Sequence, residues 1–191
     1  MLLLLHICCA PCFTYVGKKL KSDGVEFVGY FYNPNIHPLK EFLTRLDTLK
    51  TFTAQTGYRV IYNTAYPYRE FIANAMKAEE NGILRCKVCY ENRLRVVARF
   101  ARENGYTAFS TTLQLSPYQH HEVLRESAES VADDEGIEFY YTDFREGFKE
   151  SIELSRQYNL YRQNYCGCIF SEFERHEKKL RRLNDEHGGN P

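Results

Sequence analysis

Tryptophan is absent from this chain, and no stretch approaches the roughly 20 consecutive apolar residues that a membrane-spanning helix needs. The apolar opening Leu2 to Leu5 has no basic flank and is too short for a secretory leader, with Cys8 and Cys9 following at once. There is no charge excess either. Lys+Arg and Asp+Glu both number 25, a formal net charge of +0, so the overall balance does not draw the chain to nucleic acid, although a local basic patch is allowed. Gly-x-Ser-x-Gly and His-Glu-x-x-His are missing. So is a Gly-rich Ser-Gly-Gly pyrophosphate loop; its place after the first apolar run is taken by Cys-Cys-Ala-Pro-Cys, which argues against ATP or a dinucleotide. Neither an internal repeat nor a low-complexity linker occurs.

What is present is unusual. Seven cysteines fall into three tight groups and leave none over: Cys8, Cys9 and Cys12, then Cys86 and Cys89, then Cys166 and Cys168. Thiols buried merely as small hydrophobes would be scattered, and a secreted disulfide framework would be spread along loops. Tight clustering is what a soft metal or a sulfide cluster needs, because several thiolates must converge on one small volume. An odd cysteine count with no secretory signal points to a reducing, cytoplasmic setting. The 191 residues suit one domain, residues 1–191, and a hydrophobic share of 43% suffices for a core. Aromatic character rests on 15 Tyr and 13 Phe, some of them suited to lining a polar pocket.

Apolar runs from Leu2 to Ile7 and from Val25 to Tyr32 read as buried strands, and shorter ones from Arg59 to Tyr62, Thr107 to Thr112 and Ile137 to Tyr141 as further strands. Helical periodicity lies between them. Pro11 suits a first turn, and Leu39, Phe42, Leu43, Leu46 and Leu49 form one stripe. Leu94, Val97, Ala98 and Ala101 form another, and Val123, Leu124, Ala128 and Val131 a third. Alternating strands and helices imply an α/β, Rossmann-like (HUP/PP-loop-like) fold with a mostly parallel sheet, flanking helices and a helical C-terminal cap. In this reading, residues from about 149 to 191 form a helical segment closing the metal site. Ligands of such sheets gather beyond the carboxyl ends of the strands. Cys8, Cys9 and Cys12 are expected there, as are Asn33 to Pro38 and Leu113 to Tyr118.

Cys9 with Cys12, and Cys86 with Cys89, are three residues apart at helix starts, where both sulfurs share a face and the helix dipole favours thiolates. Four such ligands fit structural zinc about as well as iron–sulfur. Adjacent Cys8 and Cys9 are expected to point apart where an extended chain enters a helix, leaving one thiol for another task. Gly167 permits a tight turn between Cys166 and Cys168. A closed zinc site explains four thiols; a cluster with a second metal or a catalytic thiol pair explains all seven. His6 is read as packing at a strand end and His37 as either a loop cap or a site group. His120, His121, His176 and His187 are read as surface residues, and Asp47 as solvated. Asp143 is an N-cap, an acid or a metal ligand. Tyr161, Arg162, Gln163 and Asn164 lead into Tyr165 and Cys166, a set suited to recognising a base or sugar. Arg85, Arg93, Arg95, Arg99 and Arg102 form a solvated face or a phosphate-contacting one.

The run of motifs resembles QueH-type epoxyqueuosine reductases over nearly the whole chain. It comprises His6 to Cys12, Tyr32 to Pro38, Arg85 to Tyr90, Thr111-Thr112-Leu113 with Ser116-Pro117, and Leu160 to Cys168. Gln119, His120 and His121 depart from the pattern in a peripheral loop. The resemblance implies reduction of an epoxide on the cyclopentane ring of epoxyqueuosine to an alkene, at the wobble base of a tRNA anticodon, without cobalamin. It implies an iron–sulfur cluster, of 4Fe-4S type, with an adjacent mononuclear iron, and no nucleotide cofactor. On that basis Cys9, Cys12, Cys86 and Cys89 are assigned to the cluster. Cys8, Cys166, Cys168 and the carboxylate of Asp143 are assigned to the second iron or to proton delivery, and Tyr161, Arg162, Gln163, Asn33 and His37 to the substrate. The electron donor is expected to be an external ferredoxin or flavodoxin, with no membrane partner. The rival readings are a zinc-stapled RNA-binding module and a thiol–disulfide oxidoreductase using Cys166 and Cys168. A tRNA-thiolating ATPase is disfavoured by the missing pyrophosphate loop.

Overall fold

The first apolar run forms a strand, β1 (Leu2–Ile7), with five of its six residues buried. The computed structural model describes residues 1–186, so His187 and the end of the polar tail lie outside the described residues. Glu26–Phe31 (β2) pairs with one edge of β1, Val60–Tyr62 (β3) lies beyond it, and Ala108–Thr111 (β4) and Glu138–Phe139 (β5) extend the other side. The order is β3-β2-β1-β4-β5 and every pairing is parallel. Seven helices among the described residues connect these strands: α1 (Ala10–Ser22), α2 (Leu39–Thr56), α3 (Tyr68–Glu80), α4 (Arg85–Glu103), α5 (His121–Glu135), α6 (Phe148–Gln157) and α7 (Ile169–Glu186). None of them is long and apolar enough to cross a membrane.

Side chains alternate across a strand, and β1 shows why a continuous apolar run is needed there. Leu3, Leu5 and Ile7 pack on one face with Phe13, Val16 and Leu20 of α1 and Phe42, Leu46 and Phe52 of α2. Leu4 packs on the other with Tyr90, Leu94 and Val97 of α4 and Leu124 and Val131 of α5. Each fully buried leucine contributes about 1.5–3 kcal/mol. From β1 the chain builds outward to β2 and β3, then returns to β4 at the other edge of β1. The carboxyl ends of β1 and β4 therefore flank a topological switch point, where α/β sheets open a crevice.

Two elements differ from the periodicity. On α2 the buried face is Phe42, Arg45, Leu46, Leu49 and Phe52, while Leu39 and Leu43 are exposed. The helix is rotated because Arg45 is taken inside, where tertiary partners satisfy it. The fifth strand is only two residues long: as an edge strand β5 pairs on one side alone, and Tyr140 adds a single bond from its N–H to the Phe109 carbonyl, 2.8 Å. Helix α6 lies against α1, and a close approach just before it requires glycine. A Cβ on Gly147 would sit 2.0 Å from the Tyr15 ring.

Candidate metal centre

The chain leaves β1 through a bend at Cys8, passes Cys9 in an extended conformation (φ −165°, ψ 160°) and enters α1 with Pro11 in its first turn. That bend cancels the alternation of a straight strand. Cys8 and Cys9 consequently do not point apart: their Sγ atoms are 3.7 Å from each other. The Sγ atoms of Cys8, Cys9 and Cys12 all lie within 4.8 Å of one another. Hydrogen bonds from Cys12 and Cys8 hold the Cys9 thiol well below its usual range despite burial, and the Arg45 charge helps. Cys12 is pushed up by those same contacts with Cys8 and Cys9 and by burial. Cys8, although drawn down by Cys12, is pushed up on balance by Cys9 and by burial. Of the three thiols Cys9 is thus the one drawn towards the thiolate, and the Gln163 amide donates a hydrogen bond to its sulfur at 2.9 Å.

Cys86 and Cys89 begin α4 on a common face. Burial pushes their thiols up, to about 11 and about 12, and the sulfurs of Cys166 and Cys168 also act on both. Cys89 and Cys168 pack together against Phe71. Cys166, reaching back towards the triad, shares a cavity of about 520 Å³ with Cys8, Cys9 and Cys12, and Asn33, Arg162 and Gln163 also line it. The first and last cysteine segments therefore meet at this cavity, while Cys86 and Cys89 lie near Cys166 and Cys168 without lining it.

Two buried arginines hold the site together, and reading the sequence did not find their role. Arg45 is 3% exposed. Its Nε donates to Glu41 at 2.7 Å, and Nη1 and Nη2 donate to the carbonyls of Cys166 and Tyr165 at 2.8 and 3.3 Å. The guanidinium also lies over the Tyr165 ring, 5.3 Å from its centroid. An i, i+4 Glu–Arg pair on a helix looks like any solvated pair, so nothing in the sequence marked this one. Gly167 adopts φ +139°, and a Cβ there would meet Arg45 Nη1 at 3.1 Å and Ile36 at 3.2 Å; glycine is needed on both counts. Arg93 is 1% exposed. Its Nε donates to the Cys89 carbonyl at 3.2 Å and its Nη1 to Asn33 at 3.5 Å, while Nη2 has no partner among the described residues. Burial opposes its charge, and the sulfurs of Cys89, Cys166 and Cys8 favour it. Arg93 lies seven residues after Cys86 and four after Cys89, and this shared helical face was a usable signal.

The other expected residues are distributed as follows. Asn33 lines the cavity and donates to the Ile7 carbonyl at 2.9 Å. His37 is buried against Phe71 and Tyr66, ring centroids 5.4 and 6.1 Å away; neither ring nitrogen has a partner among the described residues, and the ring is not on the cavity wall. Tyr161 donates to Glu41 at 2.8 Å and so braces the Arg45 pair, whereas Arg162 stands exposed on the wall. Asp143 is not brought to the cavity. Arg145 engages both its oxygens, from Nε at 2.8 and 3.0 Å and from Nη2 at 2.5 Å, and holds the carboxyl down at about 2. His6 is a core residue: Nδ1 is 2.8 Å from Thr111 Oγ1 and Nε2 3.1 Å from the Tyr32 carbonyl, and burial lowers it to about 3, so it stays neutral. Asp47, His120 and His176 are exposed, while His121 is half-buried with Nε2 2.9 Å from the Ser116 carbonyl.

All seven thiols are free. Soft sulfur donors in this number suit iron–sulfur chemistry, and the two buried guanidiniums offset the negative charge that thiolates and sulfide would bring. The residues present fit such a group.

Comparison with known proteins agrees with this inventory. The family profile described as "Epoxyqueuosine reductase QueH" matches residues 3–174. Curated proteins of that name are similar to the chain along most of its length. The one from Dehalococcoides mccartyi is 39% identical, covering 92% of this chain and 95% of its own. That from Staphylococcus epidermidis is 37% identical, over 88% and 75%. That from Thermotoga maritima is 33% identical, over 92% of each. A solved structure described as a "predicted subunit of tRNA methyltransferase" from Methanocaldococcus jannaschii shares the fold, with a TM-score of 0.55, 13% identity, and coverage of 100% of this chain and 90% of that one.

Proposed function

The chain belongs to the epoxyqueuosine reductase QueH family, an oxidoreductase family of tRNA modification, and from that premise we propose that its thiols hold an iron–sulfur cluster beside a mononuclear iron. The observation that carries this reading is the triad of Cys8, Cys9 and Cys12, all within 4.8 Å of one another, with Cys166 on the same cavity and Cys86 and Cys89 near enough to feel the sulfurs of Cys166 and Cys168. The overall change converts an epoxide to an alkene: two electrons and two protons enter, two C–O bonds break, and one water leaves. When bound, the iron centres supply electrons one at a time and a Lewis-acidic seat for the epoxide oxygen.

The chain's own residues do the rest. Cys8, Cys9 and Cys12, whose sulfurs lie within 4.8 Å of one another, would hold one metal group together, and Cys86, Cys89, Cys166 and Cys168 would supply further ligands or a proton. The Asp143 carboxylate, which pairs with Arg145 and is not on the cavity wall, would have to exchange that partner to serve as a ligand or acid. Burial raises the Cys86 and Cys89 thiols, so a metal held there would have to displace their protons. The segment around Tyr165 and Cys166 is latched over the site through the Arg45 guanidinium, which donates to both carbonyls. Arg162, Gln163 and Asn33 present donors at the cavity wall for the nucleoside. Electrons come from an external ferredoxin or flavodoxin.

The anaerobically reconstituted protein, given dithionite and epoxyqueuosine-bearing tRNA, produces queuosine detectable by nucleoside mass spectrometry. Arg162→Ala lowers that turnover by about 10- to 100-fold, as expected for one lost charge-assisted contact, while the visible absorption of the cluster survives. Loss of the absorption in Arg162→Ala would make the residue scaffolding instead.

A further inference from the structure

The five cations in and beside α4 are spent on carboxylates and carbonyls of the protein itself. Arg95 pairs with Asp134 at 2.8 Å and Arg99 with Glu135 at 2.9 Å, and Arg102 donates to the Glu135 carbonyl at 3.1 Å. Arg85 is held by Glu79 at 2.7 Å and also by Glu174, and Arg93 is buried. None of these is disposed to meet phosphates.

Helix α7 differs. Ser171 and Arg175 line the cavity. Counting four, seven and eleven residues on from Ser171 reaches Arg175, Lys178 and Arg182, so all of them share the cavity-side face, with Lys179 at its border. These four cations are exposed, and no ion pair engages them among the described residues; the neighbouring Arg181 is the one bound, to Glu177. From Arg175 to Arg182 the row runs about 10 Å away from the cavity mouth. At the mouth stands Tyr118, 81% exposed, its ring set edge-on to Phe148 at 5.8 Å. An exposed aromatic face beside a track of unpaired cations is the combination that binds single-stranded RNA, with bases stacking and phosphates pairing.

We infer that this face of α7, together with Tyr118, is the docking surface for the anticodon loop: Arg175, Lys178, Lys179 and Arg182 take successive phosphates, and Tyr118 stacks an unpaired base beside the one entering the cavity. The inference rests on the reading of tRNA as substrate. It adds which residues grip the RNA, and it explains how a chain of formal net charge +0 binds a polyanion.

The test compares wild type with Lys178→Ala/Lys179→Ala/Arg182→Ala and with Tyr118→Ala. Binding of unmodified tRNA is read by fluorescence anisotropy across a salt series, and KM and kcat are read on epoxyqueuosine-bearing tRNA. The triple variant binds about tenfold or more weakly, its log–log salt slope is flatter by about two, and the loss falls on KM rather than kcat. Tyr118→Ala weakens binding by roughly 5- to 100-fold without changing the slope, and Tyr118→Phe restores it. A charge-keeping Lys178→Arg/Lys179→Arg/Arg182→Lys variant binds as wild type does. Unchanged affinity and slope in the triple variant, or equal weakening in the charge-keeping one, overturns the proposal. Wild-type protein that binds tRNA through this surface yet never reduces the epoxide would instead defeat the reading of the reaction and leave the surface standing.

Discussion

Replacing Cys86 and Cys89 together by serine abolishes epoxide reduction while the fold remains. Turnover falls by more than about a thousandfold, a barrier increase of roughly 4 kcal/mol, because serine oxygen does not replace thiolate as an iron–sulfur ligand. Structural damage is limited. The two residues sit at the start of α4, whereas the packing that holds this helix comes from Leu94, Val97, Ala98 and Ala101 further along. The one buried hydroxyl introduced, at position 89, costs about 1–3 kcal/mol if it finds no partner. Circular dichroism therefore stays native while visible absorption and activity vanish. The rival readings part company here. A zinc staple that carried the fold would leave the double variant unfolded. A dithiol enzyme relying on Cys166 and Cys168 would keep its activity and remain indifferent to iron.

Arg45→Met has the second large effect, and it acts on stability and activity together. Methionine matches much of the volume but leaves the half-buried Glu41 charge with only the Tyr161 hydroxyl and strips the carbonyls of Tyr165 and Cys166 of their donors. Breaking a buried pair in this way costs about 3–5 kcal/mol. For a chain of this size that lowers Tm by roughly 6–20 °C. Reduction of the epoxide falls as well, since Cys166 is positioned through its own carbonyl by this guanidinium. Adding Glu41→Gln to Arg45→Met recovers part of the Tm, because the stranded charge is gone, but not the activity. Recovery of both would show that the arginine serves stability alone. Arg45→Lys rescues little, as an ammonium cannot reach the carboxylate and two carbonyls at once.

The strands and their parallel direction followed from the apolar runs and the alternation with helices, because a centrally placed strand must be apolar on both faces, and Leu3, Leu4 and Leu5 satisfy that demand. The position of the thiols beyond β1 followed from the carboxyl-end location of ligand sites in such sheets, and that of Cys86 and Cys89 at a helix start from helical periodicity. What escaped the sequence depended on contacts between distant segments. Nothing local to Glu41 and Arg45 reveals that residues 165–166 will fold over them. The exposure of Leu39 and Leu43 is the same fact seen from the other side of the helix. The joint orientation of Cys8 and Cys9 was hidden because it turns on a backbone bend that composition does not encode. The pairing of Asp143 with Arg145, two residues along, was likewise not anticipated. Buried cations beside clustered thiols are the feature most worth seeking in similar sequences.

Iron and acid-labile sulfide determined on anaerobically purified protein, read alongside its visible spectrum, test the metal assignment most directly. Comparable amounts of both, with a broad absorption that dithionite bleaches, are expected from seven free thiols, three of them within 4.8 Å of one another beyond β1. A colourless protein holding zinc and no sulfide would contradict it.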